Sequence, residues 1–148
     1  SAIDFVTSLG ADAVLPLGDG WLDAVREHTV GRGVDVVVDP IGGSAFDDAV
    51  RAMATEGRLL VIGFAAGGIP TVKVNRLLLR NVSVVGVGWG EFVNRTPGAQ
   101  AEVGAGLAAL VAEGLRPPAP VRFPLSAGAE ALQSLADGGI AGKLVLEP

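Results

Sequence analysis

The chain has 148 residues, 49% of them apolar, a net charge of −5, no cysteine and one histidine. That is chain enough for one domain with a buried core. It leaves no thiol for a disulfide or a cysteine-held zinc, and His28 cannot hold a metal alone. The eleven basic residues form no run, which argues against binding a phosphate backbone.

The longest uncharged stretch, Leu59 to Val72, falls short of the ~20 apolar residues that a spanning helix needs. It is also broken by Gly63, Gly67, Gly68 and Pro70. SAIDFVTSLG carries neither a basic leader nor an apolar core of the signal-peptide kind, so a soluble cytoplasmic protein is expected.

Ile3, Phe5, Val6 and Leu9 recur at helical spacing, with Gly10 placed as a helix stop. ADAVLPL reads as a short strand closed by Pro16, and Gly18-Asp19-Gly20 turns the chain into a helix near Trp21 to Thr29. His28, among charged neighbours, is expected on the wet face of that helix. After Gly31-Arg32-Gly33, Val34 to Val38 reads as a strand buried on both faces in a parallel sheet. The turn DPIGG follows.

Ser44 is placed to cap a helix carrying Phe46, Ala49, Val50 and Met53 at helical spacing. Arg58 to Gly63 is the second buried strand and empties into the glycine-rich loop FAAGGIP. A short helix around NRLLLRN leads to a third strand, VSVVGV at 82–87. GAQAEVGAGLAALVAEG has helical period and stops at Gly114 and Pro117-Pro118. PVRFPL reads as a strand, Ser126 to Leu135 as a helix with Ala129, Leu132 and Leu135 inward, and GKLVLEP as a closing strand. Alternating strands and helices imply an α/β fold with a parallel sheet.

Three glycine clusters compete as a dinucleotide fingerprint, which needs G-x-G-x-x-G/A directly after a strand so that backbone and a helix N-terminus meet pyrophosphate. Gly31-Arg-Gly33 precedes its strand and lacks the third glycine. Gly86-Val-Gly88-Trp-Gly90 follows a strand but puts Glu91 where the third small residue belongs. Gly104-Ala-Gly106-Leu-Ala-Ala109 fits the letters inside an alanine-rich helix. None qualifies.

GRGVDVVVDPIGG at 31–43, GRLLVIGFA at 57–65, NRLLLRNVSVVGV at 75–87 and AGKLVL at 141–146, in this order, resemble the zinc-independent quinone oxidoreductase branch of the medium-chain dehydrogenase/reductase superfamily. The resemblance implies a partial doubly wound, Rossmann-like parallel sheet lacking its first two strands and the fingerprint loop. It also implies C-terminal strands that belong to an absent catalytic domain. Residues 1–116 would be an incomplete dinucleotide-binding domain and 117–148 a return to the catalytic domain, so the chain is expected to be a fragment.

By that resemblance, Ile41, Gly42 and Gly43 follow the fourth family strand, Ile62, Gly63, Phe64 and Ala65 the fifth, and Val87, Gly88 and Trp89 the sixth. These would line the nicotinamide half of the cofactor cleft, with Gly142 and Lys143 adding a cation nearby. The same residues have plainer readings: glycines as turn-makers, Phe64 and Trp89 as core or interface aromatics, Lys143 as a surface lysine, and Asp39 as a cap on its loop rather than an acid or base.

The implied chemistry of the parent protein is hydride transfer from NADPH, with NADH open, to a quinone or an activated carbonyl or alkene, and this fragment is expected to be inactive by itself. No metal and no catalytic side chain is expected within this stretch. The alternatives are a fragment of a zinc-dependent alcohol dehydrogenase, whose ligands would lie upstream, and a non-catalytic module that associates with itself. The resemblance also implies a homodimer through the strand Val82 to Val87, with exposed edges open to strand exchange.

Overall fold

The structure, a computed structural model, describes residues 2–148. In chain order the elements are α1 (Ala2–Ser8), α2 (Trp21–His28), β1 (Val34–Asp39), α3 (Ala45–Ala52), β2 (Met53–Val61), α4 (Val74–Arg80) and β3 (Ser83–Gly86). They continue as α5 (Trp89–Arg95), α6 (Ala99–Ala112), β4 (Val121–Pro124), a 3-10 turn at Leu125–Ala127, α7 (Gly128–Ala136) and β5 (Leu144–Glu147). The chain forms two compact units, Leu15–Gln100 and a second built from the residues up to Val14 with Ala101–Pro148.

In the Leu15–Gln100 unit the strands form one parallel sheet in the order β1-β2-β3. Parallel neighbours need a crossover, and α3 and α4 supply the two. Phe46, Ala49 and Val50 on α3 are buried together with Met53, Leu59 and Val82, and Val37, Val61, Leu77 and Val84 pack against them. Burial of the larger of these side chains stabilises the unit by roughly 1.5–3 kcal/mol each. A second cluster, Leu22, Val25 and Ala52, seats α2 beside Val34.

Ion pairs and caps then lock α3. Asp47 pairs with Arg76 at 3.2 Å. The Arg80 guanidinium donates to the carbonyls of Arg51 and Met53, at 3.1 and 2.8 Å, and so closes the C-terminal end of α3.

The register of β1 on β2 runs Val36↔Arg58 to Asp39↔Val61, but Val34 pairs with Met53. The intervening residues of β2 loop out, with Glu56 left-handed at φ 65°. Gly33 lies against this irregularity, at φ 87°. A methyl group there would stand 2.6 Å from the Ala52 carbonyl oxygen, so only glycine fits.

In the second unit β4 and β5 pair in parallel, Val121↔Leu144 to Pro124↔Glu147. Arg122 and Glu147 form an ion pair across them. α7 lies on this ribbon with Ala131 fully buried.

Several expectations are corrected. Residues 11–17 form no strand. No described strand offers a ladder there, because the sheet ends at β1. β1 itself is not buried on both faces: Val37 points into the core, whereas Val36 is 44% and Val38 62% exposed, because α3 and α4 both pack on one face. Ser44 stands at the N-cap of α3, yet its hydroxyl makes no capping bond, its backbone already being helical at φ −69° and ψ −26°. Met53 belongs to β2 rather than to α3. On α7 the inward residue is Ala131, while Ala129, Leu132 and Leu135 are exposed. The helix α5 was not expected from GWGEFVNR.

Candidate functional site

In a parallel sheet every strand ends on the same side, so the loops after β1, β2 and β3 gather along one edge. Ile41 to Gly43, Ile62 to Ala65, Val87 and Gly88 lie in these loops, and Trp89 opens α5 directly after the third of them. Gly142 and Lys143 belong to the other unit. There Gly142, at φ 97°, has the Phe5 ring where a methyl group would sit. The carbonyl of Lys143 accepts the N–H of Val121 at 2.8 Å.

Asp39, the last residue of β1, is 8% exposed. Its Oδ1 accepts the N–H groups of Ile41 and Gly42, each at 2.9 Å. This is the loop-capping role expected of it, in the manner of an Asx turn. Oδ2 is buried without a hydrogen-bond partner.

Backbone bonds then join this loop to the next. The N–H of Ile62 donates to the Asp39 carbonyl at 2.9 Å, Ala65 to Pro40 at 3.0 Å and Ala66 to Ile41 at 2.9 Å. In the reverse direction Gly43 donates to Gly68 at 3.3 Å. The third loop joins through Val87, whose N–H donates to the Val61 carbonyl at 2.9 Å. Gly43 adopts φ 62°, and a methyl group on it would lie 2.9 Å from the Ala66 methyl. The close approach of the two loops therefore asks for glycine before any ligand is considered.

Two recesses open along this edge. One of about 430 Å³ is lined by Leu17, Trp21, Ile41, Ser44, Asp48 and Ala66, among others. The other, of about 330 Å³, is lined by Gly86, Val87, Gly88, Trp89 and Phe92, with the Trp89 and Phe92 rings 6.2 Å apart. Ile41, Ile62, Phe64, Val87 and Trp89 all leave apolar surface exposed. Phe92 and the Asp48–Ala66 recess were not foreseen. Phe92 sits one turn of α5 beyond Gly88, and that unanticipated helix carries it back beside Trp89.

Residues 1–104 match the zinc-binding dehydrogenase family. The chain belongs to that family. It thereby falls within the medium-chain dehydrogenase/reductase superfamily whose motifs it carries. Its fold is similar to that of a probable oxidoreductase from Mycobacterium abscessus, at 59% identity and a TM-score of 0.83, over 99% of this chain and 43% of that one. A mycobacterial protein solved in complex with NADPH shares 28% identity and a TM-score of 0.80, over 98% of this chain and 46% of its own. Rat quinone oxidoreductase-like protein 2 is 43% identical over 84 residues, which are 56% of this chain and 24% of that protein. The chain thus spans about a quarter of this curated relative and less than half of either solved structure.

The zinc in the family's name does not fit these residues. The chain has no cysteine, its one histidine is exposed on α2, and among the described residues no three of His, Asp and Glu gather as a ligand set. Nor is any described helix long and apolar enough to cross a membrane.

Proposed function

We propose that this chain is the nicotinamide-facing part of an NADPH-dependent oxidoreductase of the quinone reductase type. The observation that carries the reading is the three-loop edge after β1, β2 and β3. There, exposed apolar side chains stand together on glycine-rich turns, without a charged side chain in the Gly86–Phe92 recess. Such an edge suits a flat, weakly polar ring held by backbone groups. The likeness to a protein solved with NADPH and the identity to a quinone oxidoreductase-like protein support it.

The cofactor, when bound, supplies the hydride for an electron-poor carbon of a quinone, carbonyl or alkene. The chain's own work is placement. Ile41, Ile62 and Val87 offer apolar contact, and Gly42, Gly43, Gly63 and Gly88 bring main-chain groups close. Phe64, Ala65 and Trp89 shelter the ring from water. A second copy of the chain adds itself along Val82 to Val87.

Titration with NADPH, followed by nicotinamide fluorescence, should saturate and should weaken about tenfold when Gly88→Val fills the recess. Failure to saturate, or the same affinity in Gly88→Val, overturns the reading. Parallel titration with NADH decides which nicotinamide cofactor is preferred.

A further inference from the structure

The carboxylate of Asp39 accepts hydrogen bonds only from its own loop, yet the geometry extends its reach to the next one. A peptide unit is planar, with its N–H and C=O pointing in opposite directions. The Pro40–Ile41 peptide has its N–H on Asp39 Oδ1 and its C=O on Ala65 N–H. The Ile41–Gly42 peptide has its N–H on the same oxygen and its C=O on Ala66 N–H. Two consecutive planes are thus clamped at both ends, with the carboxylate on one side and the 62–68 loop on the other. The Asp39 carbonyl adds Ile62 to the same assembly.

We infer that Asp39 is a positioning residue for the loop after β2, acting through these two peptide planes. Without its carboxylate the planes rotate, the carbonyls of Pro40 and Ile41 turn away, and Ala65 and Ala66 lose their acceptors. Phe64 and Ala65 then leave the edge they share with Ile41. The coupling stands on hydrogen-bond geometry alone. Its effect on a ligand rests on the function proposed above.

Amide hydrogen exchange at Ala65 and Ala66 tests the coupling in the chain itself. In Asp39→Ala both amides should exchange at least about tenfold faster. In Asp39→Asn, whose amide oxygen can accept the same two N–H groups, they should return to within about threefold of the unsubstituted chain. Asp39→Ser, with a shorter reach and one small acceptor, should fall between and serves if the alanine variant does not fold. Val25→Ala, in the other cluster, lowers global stability without touching either loop and serves as the control.

Faster exchange confined to Ile41 and Gly42, or equal acceleration at Ala65 and Ala66 in Val25→Ala, overturns the inference. NADPH affinity should follow the same ranking across the Asp39 series. If the unsubstituted chain binds no NADPH, the proposed function fails while the exchange pattern still judges the coupling.

Discussion

Gly31 and Gly33 make a matched pair for testing the packing at the base of the sheet. Both adopt positive φ, 77° and 87°. Around a methyl group on Gly31 there is nothing within 4 Å, whereas on Gly33 it would meet the Ala52 oxygen at 2.6 Å and the Ala54 nitrogen and Met53 carbonyl carbon at 2.8 Å. All three are backbone atoms, so no rotamer change relieves the overlap.

An alanine in left-handed backbone costs about 1–2 kcal/mol at either position. Restricting the unfolded chain returns about 0.4–1 kcal/mol in both. The difference between the two variants is therefore the overlap alone, about 2 kcal/mol within the usual range for an overpacked site. Urea unfolding should give Gly33→Ala a midpoint well below that of Gly31→Ala at an unchanged slope. A gap under about 0.5 kcal/mol would refute the claim that only glycine fits at position 33.

Gly43→Ala should destabilise by about 1–3 kcal/mol, and adding Ala66→Gly should recover all but the left-handed strain of about 1 kcal/mol, a coupling that a double-mutant cycle in urea reads directly. Arg80→Met should cost about 1–2 kcal/mol by uncapping α3, with Arg80→Met and Arg80→Gln alike in chemical denaturation. Arg32 donates to both oxygens of Asp35, at 2.7 and 2.5 Å, and this bond, with its charge, holds the Asp35 carboxyl below its usual range. Because the folded-state value is the lower one, the stability it lends is whole above the ordinary carboxylate range and is lost as pH falls through the folded value. The melting-temperature difference between the unsubstituted chain and Arg32→Gln should therefore be small at neutral pH, shrink in high salt and vanish near pH 2; a pH-independent difference would count against it.

The elements that pack on their own were legible in the sequence. VDVVV, RLLVI and VSVV are apolar runs rich in Val, Ile and Leu with glycine at one or both ends, and the crossover helices carry apolar residues at helical spacing, so local pattern and tertiary burial agree. ADAVLPL has the same local pattern, but a strand exists only if a neighbour offers a ladder, which composition does not reveal. Val36 and Val38 mislead for a related reason: valine records a preference for extended backbone whether or not a layer covers it. At the site, glycine spacing located the loops but not the bonds between them, because the Ala65, Ala66 and Gly68 partners are main-chain groups that any sequence would supply. Asp39 was legible because a carboxylate one residue before a proline and two glycines has few other uses.

The hydrogen bonds between the loops after β1 and β2 also bear on how this protein can change. Two loops laced by main-chain bonds share one length, since a residue inserted in either shifts every later partner in the other. Diversifying 62–68 alone, in a library or over generations, should return mostly point substitutions. Insertions and deletions should survive chiefly in pairs, one in each loop, so that this edge of the sheet would be remodelled in coordinated steps.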